Sequence, residues 1–234
     1  MIEMPTFNRV LLKVTGEYFS GKENNPLDHG NISTLAEFIK NINQELVIVV
    51  GAGNIFRGRT GVEGSDRVTN DQIGMLATVV NAKSLGAELD RIKVQCRVMT
   101  AFDVEGVTEK YVVNKAISYL EEKKIVIVGG GTGHAYCTTD YAAVLRALEL
   151  KCDVILKGSS VDKVCSGDPK KDPNVIQYDE LDIKKAINDE LGVMDLTAFT
   201  LAYENKMPII VFNINKLDNI TKILAGEPIG TRIR

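Results

Sequence analysis

The chain has 234 residues, 44% of them hydrophobic and 25% charged, with a formal net charge of −3. Such a composition suits a soluble globular protein, long enough to bury a large core as one domain or two packed lobes. The small negative charge gives no global field for holding nucleic acid or an acidic membrane, so any bound anion must be held by local cations and backbone amides.

In chain order, MIEMPTFNRV offers no apolar stretch fit for a signal peptide. RVLLKVT (9–15) reads as a buried strand, followed by a helix on which Ile32, Leu35, Ile39 and Ile42 recur. LVIVV (46–50) is a second strand, and Ile73, Leu76, Val80 and Ala87 mark a second helix. VQCRVMT (94–100) predicts a strand, Tyr111 to Glu122 a helix, IVIVG (125–129) a strand, and Asp140 to Leu150 a helix leading into DVILK (153–157). Gly158 to Tyr178, rich in Asp, Lys, Ser, Gly and Pro, predicts a long functional loop or hairpin. Helices near 183–190 and 196–205 and the strand PIIVFN (208–213) complete the pattern. Continuous Val/Ile runs between helices predict an α/β fold whose mainly parallel sheet is covered on both faces.

Ligands of parallel α/β sheets sit at the carboxyl ends of strands, and several strands here end suggestively. The first gives Lys13-Val14-Thr15-Gly16-Glu17, the second Gly51-Ala52-Gly53 on to Arg57, a later one Gly129-Gly130-Gly131-Thr132-Gly133-His134, and another Lys157-Gly158. Gly16 to Lys22 satisfies G-x-x-x-x-G-K, but Glu23 stands where a P-loop needs a hydroxyl, and ENNPLDHG does not open a helix at once. The third glycine of G-x-G-x-x-G falls at Phe56 in one candidate and at His134 in another, so a dinucleotide fingerprint fails too. The glycines still admit backbone amides to a phosphate, and the lysines and arginine supply charge. Thr138-Thr139-Asp140 reads either as a phosphate contact at a helix N-terminus or as helix caps. Asp195 and Asp71 have the same capping reading, and Thr69 with Gln72 fits a capping box.

Cys96, Cys137, Cys152 and Cys165 are widely spaced and form no C-x-x-C pair, which argues against a thiolate zinc site and for reduced thiols in a cytosol. With His29 and His134 the only histidines, no His-based metal centre is expected.

The ordered set KVTGE (13–17), GAGNIFRG (51–58), DQIGMLAT (71–78), GGTGHAYCTTD (130–140), LKGSSVDKVCSGDPKKDP (156–173), VMDLTAF (193–199) and MPIIVFN (207–213) resembles the bacterial UMP kinases, which have the amino-acid kinase fold. The resemblance covers essentially the whole chain and implies a three-layer α/β/α sandwich around a mainly parallel central sheet. It implies one domain over 1–234, with an N-terminal lobe of about 1–150 for UMP and a C-terminal lobe of about 151–234 for ATP. The implied reaction is transfer of the γ-phosphoryl of Mg-ATP to UMP. Lys13, Lys157, Asp195 and Arg57 would form the catalytic cluster, with Asp195 organising the lysines or Mg²⁺ through water. Lys13, Val14, Thr15, Gly16, Gly53 and Arg57 would meet ATP phosphates, and Ser159, Cys165 and Asp168 would surround the adenosine. Asp71 would hold the UMP ribose, while Ala52 and Thr132, Gly133, His134, Ala135, Tyr136, Cys137, Thr138 and Thr139 would line the UMP site. Mg²⁺ would arrive on ATP phosphates with no direct protein ligand. A cytoplasmic homohexamer with UTP as feedback inhibitor is also implied, with no nucleic-acid or membrane partner. Ala52 replaces a family glycine, His134 stands where asparagine is common, and 20–30 departs from the region tied to GTP activation, so no activation is carried over. The competing readings are a carboxylate or carbamate kinase of the same fold and a non-catalytic nucleotide sensor.

Overall fold

The computed structural model describes residues 7–22, 25–57, 61–167 and 174–234. The strands are β1 Arg9–Val14, β2 Glu45–Val50, β3 Cys96–Thr100, β4 Glu109–Lys110, β5 Ile125–Gly129, β6 Val154–Ser159, β7 Val164–Cys165, β8 Gln177–Tyr178, β9 Glu180–Leu181, β10 Ile209–Asn213 and β11 Thr231–Ile233. The helices are α1 His29–Ile39, α2 Arg67–Arg91, α3 Val113–Glu121, α4 Thr139–Glu149, α5 Ile183–Asn188, α6 Leu196–Glu204 and α7 Asp218–Leu224.

Nine strands form one sheet in the order β4-β3-β5-β2-β1-β6-β10-β11-β9. Every neighbouring pair is parallel except β10 with β11. Alternate residues of each strand feed opposite faces, and both faces are buried. Leu11, Val47, Val126, Ile155 and Ile209 pack with Ala143, Ala147, Phe199 and Ala202 of α4 and α6. Val10, Leu12, Ile48, Ile127 and Leu156 pack with Leu35, Ile39, Leu85, Leu89 and Ile223 of α1, α2 and α7. The expected three-layer sandwich is therefore present, and its continuous Val/Ile runs are the signature of strands with no solvent face.

Side-chain caps start most helices. Asp28, Asp66, Thr138, Asp182 and Asp195 each accept from the backbone N–H three residues on, a contact that contributes about 1 kcal/mol per helix. The α2 cap is Asp66, not Asp71, and Thr69 donates its N–H to Asp66 instead of closing a box with Gln72. Asp71 thus lies one turn inside α2. The Gly16–Lys22 P-loop match is also settled: Gly16–Phe19 is a 3₁₀ turn and the next helix begins only at His29. Within 158–178, β7 pairs antiparallel with β8. The short elements β4, β9, α7 and β11 have no counterpart among those expected from the sequence.

Candidate active site

β1 and β6 lie side by side in a register that sets Lys13 opposite Lys157. Both side chains share a sheet face with Leu11 and Ile155, the face covered by α4. Thr138 takes the cap of α4, which leaves Asp140 in the first turn with its carboxylate available to the sheet. Asp140 Oδ1 meets Lys13 Nζ at 3.0 Å and Lys157 Nζ at 2.7 Å. The lysines are only 9% and 5% exposed, so the trio is a buried cluster in which two ammoniums share one carboxylate and leave an excess positive charge. Burial alone would raise the Asp140 pKa, but the Lys13 and Lys157 charges override it and hold the carboxyl at about 2. Burial, reinforced by the Lys13 charge, pushes Lys157 down to about 8 against the pull of Asp140.

Lys13 lines a cavity of about 500 Å³, with Gly16, Gly51, Ala52, Gly53 and Arg57 on one side and Gly131, Thr132, His134, Cys137, Thr138 and Thr139 on another. Asp71, Arg67, Met75 and Thr78 of α2 close it. Close backbone approach explains Gly16: a Cβ there would collide with Gly53 N and lie 2.8 Å from Ala52 C. The turn after β5 is built on φ values of +79° at Gly130, +58° at Gly131 and +84° at Gly133, which glycine adopts without strain. Thr78 Oγ1 accepts from Gly130 N at 2.7 Å and ties this turn to α2. The buried Arg146 donates from one guanidinium NH₂ to Gly131 O at 3.2 Å, with its guanidinium 4.2 Å above the Tyr111 ring.

Two charged pairs edge the cavity. Glu17 accepts from Arg57 and from the Thr15 hydroxyl. Asp71 accepts from Arg67 Nε at 2.8 Å and from Tyr136 N at 2.7 Å, joining α2 to the turn before α4. A second cavity, of about 430 Å³, is lined by Ser159, Cys165, Lys163 and the Asp189–Val193 turn. Ser159 lies two residues beyond Lys157 on the same strand.

Most expected residues therefore converge on these two cavities. Val14 does not: its side chain is fully buried in the core, and only its carbonyl reaches the neighbouring turn, accepting from Gly51 N at 2.9 Å. Gly133, Ala135 and Tyr136 belong to the turn before α4, and Tyr136, 70% exposed, joins the site through its backbone N–H. Asp168 lies outside the described residues. Asp195 does not touch either lysine. Its carboxylate caps α6 and accepts from the Thr138 and Thr197 hydroxyls, while Asp140 is the carboxylate that organises the lysines. The sequence signal for Asp140 was present in TTD, but a cap and a charge partner look alike until the strand register is known. Glu17, Arg67 and Thr78 were also missed as site residues, although Glu17 and Thr78 fall inside KVTGE and DQIGMLAT.

A mainly parallel sheet carrying paired lysines at glycine-opened strand ends is an arrangement suited to anionic, phosphorylated ligands. The family model for the amino acid kinase family matches residues 8–213, and the chain belongs to that family. A uridylate kinase of Shewanella amazonensis is 43% identical over 98% of this chain and 97% of its own length. One from Shewanella putrefaciens is 42% identical over 98% and 96%. Among solved structures, UMP kinase from Bacillus anthracis superposes with a TM-score of 0.94 at 35% identity, covering 98% of this chain and 97% of that one. UMP kinase from Ureaplasma parvum gives 0.91 at 33% identity, covering 97% and 98%.

Proposed function

We propose that this protein transfers the γ-phosphoryl group of Mg-ATP to UMP, giving UDP and ADP in pyrimidine nucleotide synthesis. The observation that carries the reading is the Lys13–Asp140–Lys157 cluster, set on two central strands whose ends reach both cavities. The full-length relatives named uridylate kinase choose UMP among the acceptors of this fold. Phosphoryl transfer is mainly positioning and charge stabilisation. The acceptor phosphate is largely dianionic near neutrality, with a second pKa of ~6, and needs no general base. Lys13 and Lys157 offset charge on the transferring group, and Asp140 holds the two ammoniums in place.

In this reading the first lobe, about 1–150, holds UMP. Asp71 accepts a ribose hydroxyl, and Ala52 with Thr132–Thr139 lines the nucleotide. The second lobe, about 151–234, holds adenosine beside Ser159, Cys165 and Asp168. Lys13, Thr15, Gly16, Gly53 and Arg57 meet phosphates. Mg²⁺ would enter on ATP phosphates and spread their charge. Among the described residues no His, Cys, Asp and Glu group forms a ready metal-ligand cluster. We extend the proposal to a homohexamer, supported by the exposed apolar Val68, Leu76 and Val80 of α2. UTP, which shares its uridine with the acceptor, is proposed as feedback inhibitor. The four free thiols support a cytoplasmic location, and no described helix is long and apolar enough to cross a membrane.

A coupled ADP-release assay over UMP, CMP and N-acetylglutamate tests the reading. UMP is expected to be strongly preferred and N-acetylglutamate inert. Equal kcat/KM for UMP and CMP would contradict base recognition, with His134 the first residue to change, and turnover of the carboxylate would overturn the assignment.

Asp71→Asn supplies a second test. A hydrogen bond to a charged group contributes roughly 1.5–3 kcal/mol, so KM for UMP should rise about tenfold or more, with a smaller change for ATP. Because Asp66 is the α2 cap, helix stability should change little. Unchanged UMP kinetics would reduce Asp71 to a brace between Arg67 and Tyr136.

A further inference from the structure

Glu17 is a negative charge in a cavity that the proposed reaction fills with phosphates. It follows Gly16 in the 3₁₀ turn after β1 and lines the main cavity. Its carboxylate accepts from the Arg57 guanidinium and from the Thr15 hydroxyl. It also lies against Gly53, where an added Cβ would collide with Oε1. A guanidinium, a hydroxyl and a glycine-opened backbone are the partners that a phosphate oxygen takes. Burial raises the Glu17 pKa, but the Thr15 hydroxyl together with Arg57 and Lys13 holds it below the usual carboxylate range, so the group stays charged at neutral pH. The pair is also open to water, with 47% of the Glu17 side chain and 61% of the Arg57 side chain exposed. Ion pairs of that kind are weak and exchangeable.

We infer that Glu17 is a resident stand-in for phosphate: it engages Arg57 and yields that place to a nucleotide phosphate. The inference rests on the phosphotransfer reading above. A dianionic phosphate carries more charge and more acceptor oxygens than the carboxylate, so it wins the exchange. A monovalent inorganic anion gains no such advantage. Arg57 is thereby kept oriented, at the cost of some nucleotide affinity.

The test is equilibrium binding of UMP, and of the Mg²⁺ complex of a non-hydrolysable ATP analogue, to wild type, Glu17→Gln, Glu17→Ala, Arg57→Gln and the double variants. Removing the competitor should tighten at least one nucleotide by about two- to fivefold, the range expected for an exposed pair. The gain should vanish in the Arg57→Gln background. Equal or weaker binding by folded Glu17 variants overturns the inference, and so does tightening that persists without Arg57. Wild-type protein that binds neither nucleotide overturns the phosphotransfer reading, and this inference with it.

Discussion

Lys13→Met and Lys157→Met are each expected to lower kcat by roughly 10²-fold or more while changing KM for UMP much less. One preorganised charge aimed at developing negative charge typically contributes about 3 kcal/mol to the transition state. Both lysines are buried, adjacent in register and bound to the same carboxylate, so neither has the mobility of a surface lysine. Methionine preserves length and packing and deletes only the ammonium. In each variant Asp140 keeps one partner, which limits the damage to the fold. ADP release under saturating nucleotides is the readout. Near-normal turnover in a folded variant would make that lysine a counter-ion of Asp140 and nothing more.

Asp140→Asn is expected to have the largest effect on stability, because it leaves two neighbouring buried ammoniums without their carboxylate. Breaking a buried ion pair on one side typically costs about 3–5 kcal/mol. The pH dependence gives a sharper signature. In wild type, kcat/KM should fall above about pH 8, where Lys157 loses its proton. Removing Asp140 takes away the charge that opposes this loss, so the alkaline limb should move to lower pH. Stability runs the other way across this window. Between about 8 and ~10.4 the unfolded chain holds a lysine proton that the folded chain has released, so this group makes the fold more stable as pH rises. Asp140 itself has a depressed folded pKa. Its contribution is present above ~3.9 and is lost as pH falls toward about 2. Thermal melts and kcat/KM profiles over the same pH range separate the effects. An alkaline limb that stays in place in Asp140→Asn would show that Lys157 does not control it.

The layers of this fold were legible because its central strands are buried on both faces and advertise themselves as Val/Ile runs. Lys13 and Lys157 were legible for the opposite reason, as charges closing such runs. Their pairing was not, since it depends on β1 and β6 being neighbours although about 140 residues separate them in the chain, a long-range fact that no local pattern carries. Asp140 was not legible as the partner of the lysines for a related reason: like Asp195 it stands at the start of a helix, and only the register shows that it faces them. The α7 and β11 segments were missed because they are short. Ile220, Ile223 and Leu224 fill a single helical turn, and Thr231–Ile233 offers too little alternation to separate from a loop.

The placement of Lys13 and Lys157 on central strands also bears on how the sheet finds its pairing. Side chains alternate between faces, so a slip of one residue along either strand would turn a lysine away from Asp140 and into the position of Leu12 or Leu156, among the apolar side chains under α1 and α2. There an ammonium would find hydrocarbon on every side, a far heavier penalty than a mispacked leucine would incur. Hydrophobic runs as uniform as VLLKV and VILKG tolerate several alignments; the lysine within each acts as an index mark against the one-residue slips. The two buried charges thus also proofread the assembly of the sheet that carries them.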